Sequence, residues 1–314
     1  MGRLIRTLFG ISPKQTRFDA LRFESGDARI RQRIEQIVAT FVGGYHAALL
    51  DDEPFRLAEH LNRTVASEFR GFAFEGAAMG LVIADFLHPF RASSLQSFLD
   101  GPGKQHDYII HIGAGWGLAR LPVPFERATA SMDPFQRWLA MDGYGFHQGF
   151  FHRPRFIDRR EEPKHLSAYG RCAFDQGLGR SLWFVKAGHV GRIAAAIAEF
   201  PLSRRPHLWS GVGLASAYAG GVGRAELMAL REACGGFLPQ LRQGIAFAAK
   251  TRQHAGNPAE WTALACEAVC DSSPGELAAI ADEALEGLGD QGDIPAYEVW
   301  RQRIQSRWPS YSVL

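Results

Sequence analysis

Groups that can move a proton near neutral pH stand at related places in the two halves of this chain. A glycine, an aromatic residue and a histidine end at His46, and the same triplet ends 101 residues later at His147. Glu75 and Asp175 each precede a glycine amid apolar residues, and they share this register if one residue is slipped. Imidazole and carboxyl groups are common acids and bases. The pattern predicts these four residues as catalytic groups of one central site between two pseudo-symmetric halves.

Arginines accompany the acids. Arg70 and Arg171 keep the 101-residue register, and Arg180 follows Asp175 on the same predicted helix. The three side chains are expected to bind substrate and to set the charge of the site. A structural interpretation stays open, in which they form buried ion pairs that hold the repeats together and the histidines only bond neighbouring helices.

Aromatic residues cluster near the repeated positions. A concave helical surface lined by such rings would suit an apolar polyene, and ordinary core packing is the alternative. The aromatic residues predicted to contact substrate are Tyr45, Tyr144, Trp116 and Trp183.

Composition and charge exclude several kinds of partner. The chain has 35 basic and 33 acidic side chains among 314 residues. This near balance gives no overall positive electrostatic potential that would attract nucleic acid. Four cysteines are too few and too uneven for a disulfide framework, so a reduced, cytoplasmic location is expected. The longest uncharged apolar stretch, 76–84, is far below the ~20 residues of a transmembrane helix.

Metal and cofactor motifs are weak throughout. Cysteine and histidine spacings match no zinc site, so the sequence predicts neither a metal nor a cofactor. An apolar run ending in Gly113-Ala114-Gly115 is similar to a methyltransferase nucleotide loop. However, the Gly-x-Gly pattern returns at Gly211 and Gly213, which favours glycines at close helix contacts.

Apolar residues recur at helical spacing along most of the chain, and alternating strand patterns are scarce. The predicted fold is therefore all-α, a duplicated array of helical hairpins, either an α-solenoid or a curved bundle, with a pseudo-twofold internal repeat. The predicted units are an N-terminal extension over 1–27, repeats over 28–124 and 125–224, and a C-terminal helical unit with a degenerate third repeat over 225–314.

Four sequence strings, at 71–79, 142–147, 174–180 and 211–215, together resemble a bacterial family, the domain-of-unknown-function family 1702. The resemblance covers roughly residues 20–310. It implies a setting in natural-product gene clusters, including those for enediyne polyketides, and it supplies no catalytic residues. A polyketide synthase or another cluster-encoded protein is an implied partner.

These observations lead to two main hypotheses. The first is a protein that holds an apolar polyene intermediate in a helical cavity and assists its rearrangement or cyclisation by proton transfer, as an isomerase or cyclase without a nucleotide cofactor. The second is a non-catalytic α-solenoid that grips a partner enzyme or carrier protein through its concave face. A methyltransferase is a more distant third.

Overall fold

The computed structural model describes residues 10, 11, 23 and 27–308, so most of the N-terminal extension predicted over 1–27 lies outside the described residues. The described part is helical, with one isolated bridge between Gln291 and Ile294 and no strand. Its α-helices are α1 Ala28–Leu50, α2 Pro54–Thr64, α3 Arg70–Leu87, α4 Ser94–Asp100, α5 Asp107–Leu118, α6 Phe125–Ala128, α7 Arg137–Phe151, α8 Ala168–Val185, α9 Val190–Ala198, α10 Arg205–Tyr218, α11 Arg224–Ala233, α12 Leu238–His254, α13 Glu260–Cys270, α14 Pro274–Glu283 and α15 Ala296–Gln305.

Local capping explains where several helices begin. Asp27 accepts a hydrogen bond from the Arg29 amide at the start of α1. Glu53 does the same for α2, directly before Pro54 at the first turn. Ser273 and Glu276 form a capping box at the start of α14. These side chains satisfy amides that the first turn of a helix leaves without a partner.

One set of helices forms a continuous inner array. Helices α1, α3, α5, α7, α8, α10, α12 and α14 each pack against the next in that order, while α2, α4, α9, α11 and α13 lie between them along the chain. The predicted all-α helical array is confirmed.

Paired glycines set the spacing of the inner helices. Gly143 of α7 lies against the carbonyl of Ile112 in α5, and Gly145 lies against the carbonyl of Phe174 in α8. A Cβ atom at either position would overlap that oxygen. The same contacts, one towards the preceding helix and one towards the next, occur at Gly113 and Gly115 in α5, Gly177 and Gly179 in α8, and Gly211 and Gly213 in α10. The helix-contact interpretation of these glycines is confirmed, and the nucleotide-loop alternative is wrong because Gly113 and Gly115 lie inside α5.

The glycines also reveal a shorter period than the one read from the sequence. The first glycine of each set stands at Gly76, Gly113, Gly143, Gly177, Gly211 and Gly244, at intervals of 37, 30, 34, 34 and 33 residues. The 101-residue register is therefore the sum of three such units. The sequence shows the 101-residue register more clearly than the shorter period because the units at Gly76 and Gly177 share more residues with each other than adjacent units do.

The array curves until its beginning meets its later helices. Arg33 of α1 donates to the carbonyl of Ala219 after α10, at 2.8 Å. Arg252 of α12 donates to the carbonyls of Glu68, just before α3, at 2.6 Å and of Tyr218 at 2.7 Å. These contacts enclose an interior into which the inner helices direct their side chains.

The last helix, α15, fills part of this interior. Trp300 is 1% exposed, stacks edge-on against Phe247 and Phe135, and donates its N–H to the carbonyl of Ala281 at 2.8 Å. Arg301, also 1% exposed, pairs with Glu298 at 2.8 Å. The C-terminal segment is thus part of the core of the array.

Candidate functional site

An aromatic cavity lies inside the first half of the array. The space between its walls, together with the open solvent at its mouth, amounts to about 530 Å³, of which the centre of a water molecule can reach about 40 Å³. Its walls come from α1, α3, α5, α7 and α8, with Ile11 from the segment ahead of α1. The aromatic lining consists of Phe41, Phe72, Trp116, Phe146, Phe150, Phe151 and Phe184.

Glu75 is the one charged side chain among the described residues that line this cavity. It lies in the middle of α3, directly before Gly76, and is 2% exposed. Gly76 lets α3 approach the carbonyl of Phe41 in α1, and the Glu75 carbonyl is itself in contact with Gly113 of α5. Close backbone packing on both sides therefore fixes the place of this carboxyl group.

A single guanidinium is shared between two buried carboxylates. Arg180 Nη1 lies 2.5 Å from Asp142 Oδ1, whereas Arg180 Nη2 lies 3.8 Å from Glu75 Oε1. Gln176 donates to the other Asp142 oxygen at 2.9 Å and to the Tyr297 hydroxyl at 3.1 Å. Asp142 thus holds Arg180, and Glu75 Oε1 has no hydrogen-bond partner among the described residues.

This arrangement changes the acidity of Glu75. Burial raises its pKa to about 7, because water no longer stabilises the charged form. Arg180 lowers the pKa, Asp142 raises it by like-charge repulsion, and the nearby Trp116 indole offsets a smaller part of the rise. A carboxyl group with a pKa near 7 is half protonated at neutral pH, which suits it to give and take protons there.

Two further polar groups lie behind the carboxyl. The Tyr218 hydroxyl of α10 is buried without a hydrogen-bond partner among the described residues. Burial raises the pKa of Tyr218, and the Glu75 charge raises it further, so the phenol stays protonated. Arg252 stacks on the Tyr218 ring with 4.0 Å to its centroid.

The polar interior follows the repeat. In each unit the residue directly before the first glycine of the set is buried. In chain order these residues are Glu75, Ile112, Asp142, Gln176, Ser210 and Gln243, which we call the pre-glycine ladder. Two of the three neighbouring pairs of polar rungs bond, Gln176 to Asp142 at 2.9 Å and Ser210 to Gln243 at 2.7 Å.

His147 lies beside the cavity, behind its wall. Its ring is 5.4 Å from the Trp116 ring and 4.9 Å from Phe151, both of which line the cavity. Burial lowers the pKa of His147 to about 3, and His152 and Arg120 lower it further, so the imidazole is neutral. The structure therefore brings together four predicted residues, with Glu75 and Trp116 at the cavity, Arg180 beside Glu75, and His147 next to Trp116.

His46 lies at the edge of the cavity. Its Nε2 accepts a hydrogen bond from the Ile11 amide at 3.1 Å, and Ile11 lines the cavity. The histidine thus positions a wall residue and does not itself line the cavity.

Asp175 does not face the same interior as Glu75. It receives two hydrogen bonds from Arg204, at 2.5 and 2.8 Å, which form a buried bidentate ion pair. In the register set by the glycines, Gln176 is the counterpart of Glu75, and Asp175 matches Phe74. The expected convergence of the two acids is not met, because the one-residue slip that aligned them turns Asp175 onto another side of its helix.

Arg70 and Arg171 have a shared structural contact. Each donates to the carbonyl five residues earlier, Val65 at 3.2 Å and Leu166 at 2.8 Å, and Arg205 repeats this with Phe200 at 2.8 Å. These arginines tie down the turn before an inner helix. Arg180 alone among the predicted arginines reaches the cavity carboxyl.

The remaining predicted aromatic residues lie outside the cavity lining. Tyr45 is buried in α1 and accepts from Arg120 at 3.3 Å. Tyr144 stacks on Phe125 with 4.5 Å between centroids. Trp183 donates to the carbonyl of Gly220 at 3.1 Å. These three side chains pack away from the cavity lining, and their contact with substrate stays a prediction.

The cluster of aromatic residues read from the sequence included Phe146, Phe150 and Phe151, but sequence reasoning missed Asp142, Tyr218 and the other three phenylalanines of the lining, Phe41, Phe72 and Phe184. Asp142 could have been found, because it stands before a Gly-x-Gly as Gln176 and Ser210 do. Those three phenylalanines gave no signal, since a ring at helical spacing is as common in a core as in a cavity wall.

Two surveys concern the described residues only. No group of three or more His, Cys, Asp or Glu side chains within them is placed to hold a metal ion. Across residues 27–308, no helix combines the length and apolar character needed to cross a lipid bilayer.

Comparison with known sequences gives the family. A profile described as "Protein of unknown function (DUF1702)" matches residues 1–308, so the chain belongs to this family. Neither a search of curated proteins nor one of solved structures produced a significant match.

Proposed function

We propose that this member of the DUF1702 family binds an apolar, unsaturated small molecule in the aromatic cavity and moves a proton on it through Glu75. The observation that supports this most directly is a buried carboxyl whose Oε1 has no hydrogen-bond partner among the described residues, set into an otherwise apolar cavity wall. A buried acid whose only ion pair within the described part of the chain is long, at 3.8 Å to Arg180, costs free energy, and such a cost is commonly retained at functional sites.

The surroundings of Glu75 suit an isomerase or cyclase. The aromatic lining binds hydrocarbon through its rings and excludes water. Glu75 can deliver a proton to one carbon and later accept one from another, so a single group serves both steps. We propose a step in natural-product biosynthesis as the setting, with a polyene intermediate of an enediyne-type polyketide as the substrate.

Replacing Glu75 by glutamine tests the proposal. In the native host, Glu75→Gln is expected to lower the amount of the mature natural product at least ~100-fold, the lower range for loss of a general acid. The matched control is Glu59→Gln, the same change at an exposed position of α2. Product measured by mass spectrometry at the wild-type level in the Glu75 variant would refute the proposed role.

Binding is measured separately on the purified protein. Allo-ocimene, a small neutral conjugated triene, is expected to bind wild type and Glu75→Gln alike, because the rings supply most of its affinity. Phe146→Ser is expected to weaken that binding, since it places a hydroxyl in the wall. Absence of calorimetric binding to the wild type would remove the cavity as a substrate site.

A partner-binding scaffold is the second candidate. Part of the concave interior is filled by α15, so a partner would use the outer surface. Phe90 is fully exposed, Phe55 is 66% exposed and Phe86 is 44% exposed, which favours an apolar contact there. Loss of product in Phe90→Ser with full product in Glu75→Gln would favour the scaffold over the enzyme.

A further inference from the structure

The three charged groups of the Glu75 ion-pair cluster, Glu75, Asp142 and Arg180, carry one more negative than positive charge when Glu75 is ionised. Glu75 and Asp142 share one guanidinium, and Asp142 holds it at 2.5 Å. The three groups are neutral together when Glu75 is protonated, and their net charge is −1 when it has given its proton away. The site therefore gains a negative charge at the moment when its ligand gains a proton.

Other charged groups near Glu75 do not cancel this charge directly. From α1 the cavity receives Ile37, Val38, Phe41 and Val42, and from α5 it receives Trp116, all uncharged. Helix α10 contributes the Tyr218 phenol, whose raised pKa keeps it protonated. Arg252 of α12 lies over the Tyr218 ring, 4.0 Å from its centroid, and donates to the carbonyls of Glu68 and Tyr218. Arg180 of α8 and Asp142 of α7 are the two other charged groups already included in the net charge of −1.

Aromatic rings surround the place where a positive charge would form. Trp116 packs edge-on against Phe146 at 4.9 Å and against Phe150 at 5.7 Å between centroids, and all three line the cavity. The faces of such rings attract cations, most strongly where water is excluded. The aromatic lining and the negative charge left on Glu75 thus both favour a positively charged ligand.

We propose that the cavity is built to hold a hydrophobic monocation, the species formed when Glu75 protonates a conjugated polyene. This inference rests on the proposed function and adds to it the direction of the first proton transfer and the class of substrate. Glu75 begins the reaction as an acid, and the aromatic wall stabilises the resulting carbocation.

The step balances without a further reactant. The Glu75 O–H proton goes to an alkene carbon, the π pair of that alkene forms the new C–H bond, and the O–H pair stays on the carboxylate. The π pair of a second alkene can then form a C–C bond to the cationic carbon. Finally the carboxylate takes a proton from a neighbouring carbon, whose C–H pair becomes a new C=C bond. The product is an isomer of the substrate.

The acidity of Glu75 limits which alkenes can react. Because burial makes this carboxyl a weaker acid than usual, an isolated alkene would be a poor acceptor. A conjugated polyene gives a delocalised cation, which is easier to form. The site therefore favours extended conjugation over single double bonds.

A pair of probes that differ only in charge tests the inference. Sorbyltrimethylammonium is a conjugated diene with a fixed positive charge, and its isostere with carbon in place of nitrogen is neutral. Above about pH 8, calorimetry is expected to show the cation binding about tenfold or more tightly than the isostere. The preference should shrink as the pH falls through about 7, because Glu75 then takes up a proton.

Variants make the outcome specific. Glu75→Gln is expected to lose the pH dependence and the part of the cation preference that comes from the Glu75 charge, and to keep the smaller part that comes from the rings. It should still bind the neutral isostere, which shows that the cavity remains. Glu59→Gln should behave as wild type. Equal binding of the two probes by the wild type would overturn the inference while leaving neutral-ligand binding intact. If neither probe binds, the inference fails together with the proposed binding site.

Discussion

At the scale of single residues, the fold buries a carboxyl and gives its natural counterion to a neighbour. Arg180 is 2.5 Å from Asp142 and 3.8 Å from Glu75, so the guanidinium stabilises one acid at the expense of the other. The structure thereby keeps Glu75 uncharged more often than an exposed glutamate would be. The cost of burying this group should appear in the stability of the protein.

Stability is expected to fall with rising pH because of Glu75. Its pKa lies near 4.5 when solvated and near 7 in the fold, so the folded state holds an extra proton between these values. The contribution is full below pH 4.5 and is lost as pH rises through about 7, by about 3 kcal/mol in the free energy of unfolding. Urea unfolding of wild type and Glu75→Gln at about pH 5 and about pH 8 measures it.

The glutamine variant should lack this part of the pH dependence, whereas Glu59→Gln should keep it. Parallel pH profiles for wild type and Glu75→Gln would show that Glu75 titrates as an exposed carboxyl.

The sequence identified Glu75, Trp116 and Arg180 because an acid amid apolar residues needs a base or a raised pKa. It misplaced Asp175, since an insertion-tolerant alignment cannot tell which side of a helix a residue occupies. A shift of one position rotates a side chain by about 100° around the helix axis.

At the scale of helices, glycine contacts determine how closely the inner array packs. Gly44 of α1 touches the carbonyl of Ala73 in α3, whereas its neighbour Gly43 is exposed and has open space around its Cα. The two glycines lie in the same helix and differ only in what they face. Substituting each of them in turn therefore measures how much a close helix contact contributes to the free energy of unfolding.

Alanine at these two positions is expected to have opposite effects. Gly44→Ala should destabilise the fold by about 1–3 kcal/mol or more, because its methyl group meets a backbone carbonyl that cannot move without separating two helices. Gly43→Ala should stabilise it by up to about 1 kcal/mol through helix propensity. Urea unfolding of both variants gives the values, and a similar change in both would contradict the proposed basis of the spacing.

Helices and their glycine contacts were largely predictable from apolar spacing and from repeated Gly-x-Gly. The true period was not, because the units at Gly76 and Gly177 resemble each other more than they resemble those between them. The unit boundaries at residues 124 and 224 stay a prediction.

At the scale of the whole molecule, the interior depends on contacts between distant parts of the chain. Arg252 reaches the carbonyl of Glu68, 184 residues away in sequence, and the carbonyl of Tyr218. Such closure has no local signature, so the sequence indicated a solenoid without showing that its beginning and its later helices meet.

Removing the closing contact should weaken the entire fold. Arg252→Met leaves a buried carbonyl at Tyr218 and a partly buried one at Glu68 without their charged donor, and the free energy of unfolding is expected to fall by about 3 kcal/mol. The control is Arg224→Met, which breaks an exposed pair with Glu267 worth at most about 1 kcal/mol. Equal losses in the two variants, measured by urea unfolding, would mean that the closure adds little.

This long-range closure has a consequence for how the protein is made. When the ribosome has finished the cavity lining at Phe184, the chain that carries Tyr218 and Arg252 has yet to emerge. The cavity is consequently enclosed only after all the residues of its lining have been synthesised. A chain terminated after Phe184 would expose the seven aromatic rings and Glu75 to solvent, because the later helices that enclose them would be missing. Such exposed apolar surface makes an incomplete chain prone to aggregation and degradation.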